Sequence, residues 1–568
     1  MRWTLALILP SAAPGQTTHK AADTVLLHAR IYTVNSQQPW AQALAIHDGK
    51  IVAVGTDREI AHYRGKHTTV LDAKGRLVLP GFTDCHAHFL DGSFTLQQVN
   101  LDDATTIGEI VQRVKAYATA HPKDAWLLGR GWVYPVFGSS GLPDKKYLDA
   151  IVADRPVYLE SYDGHTWWAN SKALEAAHIT KATPNPPGGE IVRDPATGEP
   201  TGAIKEDAAD AVIRRAIPQP GREAKLQAIR AGLKYANQFG LVRVHVPGSV
   251  YAGKDDLQSV DLLEELRNTG ELTLRFYLAY RLDPPEVRDR QLAEILQARE
   301  RYHNDWIAAG SAKFFLDGVI ETHTAAMLAP YSNDPSSSGD LLWEPAKYKR
   351  FVAELDQRGI QVFTHAIGDR AIRLALDAYA DAAKQNGTTD ARHRIEHIED
   401  VSAADIPRFG QLGVIASMQP LHAYPNQDTF EAWVPSTGPE RSQRAWAWHS
   451  IQAGGGVLAF GSDWPIVTLS PWPGLQNAVT RQTTEGEPKG GWIPEQRISL
   501  ADAIKGYTLN AAFAGHREKT EGSLEPRKLA DLIIVSPDVF KIDPFKIGNT
   551  EVLLTMVGGR VVYKKKSF

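Results

Sequence analysis

Between about residues 81 and 515 the chain alternates short apolar runs with amphipathic helical stretches, and five of those runs carry a polar residue at or near the C-terminal end. LVLPGFTDCHAHF closes on His86 and His88, SAKFFLDG holds Lys313, GIQVFTHAIGD ends at His365, RHRIEHIED at His397 and GVLAFGSDWP at Asp463. Strand-like runs alternating with helices point to a parallel sheet with crossover helices. KLQAIRAGLKYANQFG followed by LVRVHVPG, and KRFVAELDQRG followed by IQVFTHAIGD, are two such units. A doubly wound sheet and a (β/α)8 barrel both satisfy the alternation. A doubly wound sheet gathers its chemistry at one crevice, usually beside a Gly-rich phosphate turn. No GxGxxG or P-loop accompanies a strand here, and Gly454–Gly456 reads as the turn before a strand. A barrel instead draws its catalytic residues from the C-terminal ends of several strands. The ligand positions therefore predict an α/β fold of the (β/α)8 TIM-barrel type over residues 81–515.

The barrel is expected to be interrupted. Residues 120–215 break the alternation, and KATPNPPGGEIVRDPATGEPTG is loop and hairpin sequence, which predicts a cap near the active-site mouth. Both ends are β-rich: TVLLHARIYTV, QALAIHDGKIVAVG and HTTVLDAKGRLVLPG within 24–80, then ADLIIVSPD and EVLLTMVGGRVVY within 516–568. Each end has too few strands to bury a face alone, so one small β-sandwich built from both chain ends is expected. Residues 1–20, with MRWTLALILPSAAPGQ, resemble a secretory signal peptide, and export is the expectation over a cytoplasmic location. No later apolar stretch is long enough to span a bilayer. The formal net charge of −4 over 568 residues gives no basis for a nucleic-acid or membrane-surface partner. The single cysteine, Cys85, rules out an intrachain disulfide framework and reads as a packing residue turned away from the histidines.

The ligand set is chemically coherent. Residues two apart on a strand face the same side, so His86 and His88 form half of a metal site. Four imidazoles and one carboxylate suit Zn²⁺ or a similar ion. They exceed one four-coordinate site with an open position, and suffice for two ions ~3.5–4 Å apart that share a hydroxide. A free ammonium beside two dications is strongly disfavoured, so Lys313 either points elsewhere or is not an ammonium.

The ordered motifs LPGFTDCHAH, RPVYLESYDGHTWWANSKAL, GGEIVRD, TGAIKED, AKFFLDGVIE, HAIGDRAI, RIEHIED, GSDWP and ADLIIV resemble the amidohydrolase superfamily, specifically the amidohydrolase-3 branch that includes N-substituted formamide deformylase. The resemblance runs from about residue 24 to the C-terminus. It implies an interrupted barrel with a terminal β-sandwich and two divalent metal ions, with Zn²⁺ the expected identity. It further implies that Lys313 takes up CO₂ as a carbamate bridging the two ions, with His86, His88 and Asp463 on one and His365 and His397 on the other. Some branches of the superfamily keep a single metal. Deaminase-like members carry a glutamate shortly after the fifth-strand histidine, where this chain has Gly368 and Asp369.

The expected reaction is hydrolysis of a linear C–N bond (amide, N-formyl or N-acyl) by metal-activated hydroxide, with Asp463 as proton shuttle. His165 in DGHTWWAN is a candidate to hold the substrate carbonyl or orient the substrate, and His422 in MQPLHAYP is another substrate-facing candidate. Glu321 and His323 in GVIETHTAAML are similar to formamide-deformylase-like members. Trp132, Trp167, Trp168 and Trp464 fall near the presumed site loops and suggest a small-molecule substrate with an apolar or aromatic group. Asp317, Asp369 and Arg370 are expected to fix the barrel's loops. A mononuclear deaminase or cyclic-amide hydrolase, and a non-catalytic binding or regulatory protein on the same scaffold, remain as alternatives, and homo-oligomerisation is left open.

Overall fold

The computed structural model describes residues 20–162, 166–186, 189–249, 257, 259–285 and 287–568. Residues 1–19, which carry the signal-peptide reading, lie outside the described residues. At the centre is an eight-stranded, all-parallel sheet: β1 (Phe82–Asp84), β2 (Leu241–Val246), β3 (Arg275–Leu282), β4 (Ile307–Phe315), β5 (Gln361–Ala366), β6 (Arg394–His397), β7 (Ile415–Met418) and β8 (Val457–Phe460). Each pairs in parallel with the next in chain order. The first and last strands meet just beyond their ends. The Cys85 amide donates to the Phe460 carbonyl at 3.0 Å and the Asp463 amide to the His86 carbonyl at 2.6 Å. This closure is the predicted (β/α)8 barrel. It demands a glycine at 461, where a Cβ would sit 2.5 Å from the His86 nitrogen.

The strands are buried along almost their whole length, as expected for a parallel sheet covered on both faces. Outward positions meet the crossover helices. Arg222–Gln238, ahead of β2, buries Leu226, Ile229 and Leu233, while Pro345–Gln357 and Asp369–Asn386 pack around β5. Inward positions are strongly polar: Arg243 and His245 on β2, Lys313 on β4, Arg394 and Glu396 on β6, all fully buried.

The chain ends form the two packed sheets of the expected β-sandwich. One sheet is N-terminal throughout, in the order Lys50–Gly55, Ala43–His47, Thr24–Leu27, Thr69–Asp72. The other mixes both ends: Arg560–Lys564, Glu551–Val557, Leu532–Ser536, Leu77–Pro80, Arg30–Tyr32, Trp40–Ala41. A shared core of Leu26, Leu44, Val78, Leu532, Ile534 and Leu554 joins them. Gly81 is the step from this domain into β1. A Cβ there would lie 2.2 Å from Val242, so only glycine lets the chain cross so close to β2.

Two buried ion pairs fasten the barrel floor to the C-terminal part of the chain. Arg243 grips Glu521 through Nε and Nη2 at 2.6 and 2.7 Å, and Arg275 grips Asp531 at 2.9 and 3.1 Å. Between β1 and β2 the chain also builds a separate six-stranded sheet, ordered Glu190–Arg193, Pro200–Lys205, Thr166–Ala169, Val157–Ser161, Leu127–Trp132, Val99–Asn100. Arg130 of this sheet donates to the Pro465 carbonyl at 2.6 Å, placing it against the loop that follows β8. No helix among the described residues is long and apolar enough to cross a membrane.

Removing one partner of a buried pair strands the other charge, at a cost of about 3–5 kcal/mol. Asp531→Ala is therefore expected to lower the urea unfolding midpoint clearly. Lys349→Ala, which breaks the exposed pair with Asp381, is expected to change stability by less than about 1 kcal/mol. Equal midpoints for the two variants would show that the Arg275–Asp531 pair does not tie the domains.

Candidate metal centre

The C-terminal end of the barrel gathers His86, His88, Lys313, His365, His397, His422 and Asp463. His86 and His88 lie just past β1 and both are buried. Their Nε2 atoms approach Asp463 Oδ1 at 3.4 and 3.2 Å. His397 ends β6 and sits between two other imidazoles, 4.9 Å from His86 and 4.5 Å from His365 between ring centres. His422, in the turn Pro420–Ala423 after β7, stacks parallel to His397 at 5.7 Å, with Nε2 3.7 Å from Asp463 Oδ2. Lys313 projects inward from β4 with Nζ 4.5 Å from the centre of the Phe315 ring. His397 and Asp463 both adopt left-handed backbone, φ 78° and 61°. For non-glycine residues that costs of order 1–3 kcal/mol each and is concentrated at functional sites.

The nitrogens that face outward are all engaged. His86 Nδ1 donates to Glu396 Oε2 at 2.6 Å, His88 Nδ1 to the Gly248 carbonyl at 2.8 Å and His397 Nδ1 to the Gln419 side-chain oxygen at 2.9 Å. With the proton on Nδ1, each Nε2 lone pair points into the centre. His365 is reversed: its Nε2 lies 3.3 Å from the Gly318 carbonyl, which leaves Nδ1 for a ligand. Asp84 supports the seam by accepting from the His86 amide and from the amide and hydroxyl of Ser462.

Burial and charge set the protonation states. Burial, reinforced by Lys313, pulls His86 down to about 4 and His365 down to about 3. Burial and the adjacent His365 and His86 hold His397 well below the ordinary imidazole value. The imidazoles are thus neutral, the form that binds metals. Burial opposes charge on Asp463, yet His86, His88 and His422 hold its carboxyl below the usual range. Burial brings Lys313 down to about 8 against the pull of Glu396 and Asp463. Glu399, 3.8 Å from His422, is pushed well above the carboxylate range by burial and by the nearby Glu321.

These residues fit a divalent cation. Ligand atoms of His86, His397 and Asp463 lie within 4.8 Å of one another. His86 Nε2, Asp463 Oδ1, Lys313 Nζ and His422 Nε2 are buried without a hydrogen-bond partner. Buried polar atoms are rarely left so unless an ion, water or substrate completes them.

The other candidates fall elsewhere. His165 lies outside the described residues. Trp132 and Trp168 do not line the centre; their indoles donate to the Leu159 and Asp144 carbonyls, inside the core of the separate sheet. Trp464 also turns away, packing on Phe89, Tyr235 and the bare face of Gly92. In each case an apolar layer nearer than the site takes up the ring. His323 is held in the loop after β4 by Ser436 Oγ at 3.1 Å and by stacking on Tyr331; Glu321 is exposed on the same loop. Asp317 accepts from the Ala326, Ile367 and Gly368 amides, Asp369 from the Leu328 amide, and Arg370 donates to the Gly339 carbonyl, so all three fix loops.

Sequence reasoning passed over Arg394, Glu396, Gln419 and Ser462. Their signal was present for the strand pair: two opposite charges two residues apart in the strand RIEH share one face with each other. A cavity of about 660 Å³ is walled by Trp167, Phe94, Leu128, Arg130, Asp91 and Ile466; none of the donors is among its described lining residues. A second cavity of about 490 Å³, with Arg299, Asp356 and His516 in its wall, lies at the opposite end of the strands.

Known proteins share this plan. A curated relative from Arabidopsis thaliana, Protein LONG AFTER FAR-RED 3, is 32% identical over 544 residues, covering 95% of this chain and 92% of the relative. N-substituted formamide deformylase of Arthrobacter pascens is 25% identical over 554 residues, covering 96% and 98%. The solved structure of an uncharacterized metal-dependent hydrolase from Pyrococcus horikoshii ot3 superposes with a TM-score of 0.72 at 26% identity, covering 92% of this chain and 99% of that one. The model of the Amidohydrolase family matches residues 69–563, taking in the barrel and about half of the terminal sandwich, and the chain belongs to that family.

Proposed function

We propose that the protein is a metal-dependent hydrolase of a linear C–N bond, in an amide, N-formyl or N-acyl compound. The observation that carries this reading is the set of buried, unpartnered Nε2, Oδ1 and Nζ atoms at the C-terminal end of the barrel. His86, His88 and Asp463 would hold one divalent cation, His365 and His397 a second, with Lys313 between them and Zn²⁺ the natural choice for such donors. When bound, such ions acidify water toward neutrality and polarise a carbonyl oxygen. The Lys313 amine, brought near neutrality by burial, is partly unprotonated at physiological pH. That is the form that attacks CO₂, giving an anionic carbamate and releasing one proton.

The chain's own groups then do the following. Asp463 takes the proton of the attacking water as its oxygen bonds to the substrate carbonyl carbon, and passes it to the nitrogen as the C–N bond breaks. His422, its Nε2 unpartnered beside Asp463, donates to the carbonyl oxygen and holds it in register. The name of the Arthrobacter pascens relative supports a formamide-type bond. The compact grouping of His86, His397 and Asp463 favours, as a second reading, a single ion.

Metal analysis separates these readings. Wild-type protein is expected to hold two equivalents of divalent ion, and Lys313→Ala less than one, with activity on N-formyl, N-acyl and carbamate compounds lost in parallel. Unchanged stoichiometry in Lys313→Ala would remove lysine from the centre. Asp463→Asn is expected to keep the circular-dichroism spectrum while kcat falls about 10²–10⁴-fold, the usual contribution of a positioned acid–base group. Turnover within a few-fold of wild type would exclude Asp463 as the proton carrier.

A further inference from the structure

His86 leans on a different kind of partner from its neighbours. His88 donates to a neutral backbone carbonyl and His397 to an amide oxygen, whereas His86 donates to a carboxylate, at the shortest of the three distances. That carboxylate cannot turn away. Arg394 Nε donates to Glu396 Oε1 at 2.5 Å and Nη2 to Oε2 at 3.1 Å. The guanidinium is itself fixed by the Cys85 carbonyl, by Ser417 Oγ at 2.7 Å and by His245 Nδ1 at 3.0 Å, and it lies 3.9 Å from the centre of the Phe363 ring. His86, Arg394, Glu396, His245 and Ser417 are all fully buried. An arginine–glutamate pair at the centre of a barrel is a poor way to gain stability. Apolar side chains of similar volume are often as good or better there. Its place in this fold calls for a role in the site it touches.

We infer that Glu396, clamped by Arg394, is a positioning residue that locks His86 in its Nδ1–H tautomer and sharpens Nε2 as a donor to a divalent cation. The inference rests on the metal reading above. Its chemistry is specific. A carboxylate can only accept at His86 Nδ1, so the proton must stay on that nitrogen and the lone pair must face Asp463. Partners of this kind typically carry 10–100-fold of metal affinity.

The test is competitive chelator titration of Zn²⁺ on the full-length protein, with Co²⁺ substitution as a spectroscopic check. Glu396→Gln keeps shape and an acceptor for Arg394, but can turn an amide N–H toward His86 and invert its tautomer. Glu396→Asp keeps the charge and withdraws it by one methylene. The expected result is a 10–100-fold weaker Zn²⁺ affinity and an altered Co²⁺ d–d band in Glu396→Gln, with a smaller loss in Glu396→Asp. A merely structural role would lower the melting temperature and leave affinity and spectrum unmoved. Affinity within twofold of wild type in whichever variant folds overturns the inference. Wild-type protein that takes up no divalent ion on reconstitution overturns the metal reading and this inference with it.

Discussion

The seam between β1 and β8 is the constraint on which the rest depends. A parallel barrel has no free edge only if its last strand finds its first, and here that happens through backbone bonds from the Cys85 amide to Phe460, from the Asp463 amide to His86 and from the His88 amide to Trp464. The second of these bonds sets the chemistry, because it joins the main chains of two residues whose side chains face each other across the centre. Gly461 permits the close approach, and Asp84 braces it by binding the amides of both sides. Closure of the sheet and registration of the donors are the same event.

The interior of the barrel is organised in charged layers rather than as an apolar plug. At the floor, Arg243 and Arg275 turn to Glu521 and Asp531, and so fasten the barrel to the chain's C-terminal portion. Higher up, Arg394 holds Glu396 against His86. Period-two placement on single strands makes this possible, since 243 and 245, or 394 and 396, share the inward face. Each layer is paired within itself, which keeps the desolvation cost of so many buried charges tolerable.

The barrel and the set His86, His88, Lys313, His365, His397 and Asp463 were legible in the chain because both follow from periodicity. Apolar runs mark strands, and polar residues at their ends mark the chemical face. The shared terminal sandwich was legible for a related reason: the short strands at either end, seven before the barrel and three after it, cannot bury their faces separately. The tryptophans were not. Trp132 and Trp168 belong to a core that the separate sheet makes for itself, and nothing in their local sequence distinguishes a ring packed inside a cap from one turned toward a substrate. Trp464 follows Asp463 directly, yet its indole leaves the site because Gly92 opens a slot on the helix Phe89–Thr95. Partners such as Gln419 are visible only once neighbouring strands are registered, since they act on a residue of another strand.

The seam also has a history in time. Asp84 and Ser462, joined across it, are 378 residues apart in the chain. A chain made from its N-terminus presents the β1 histidines early, on a strand with one edge unpaired, and the carboxylate that completes them arrives only when almost everything between has folded. A half-made or wrongly closed barrel therefore carries the histidines without Asp463. If the centre holds a cation as proposed, its retention is a gauge of finished folding, and a metal-poor fraction in a purified sample would count the molecules whose rings never closed.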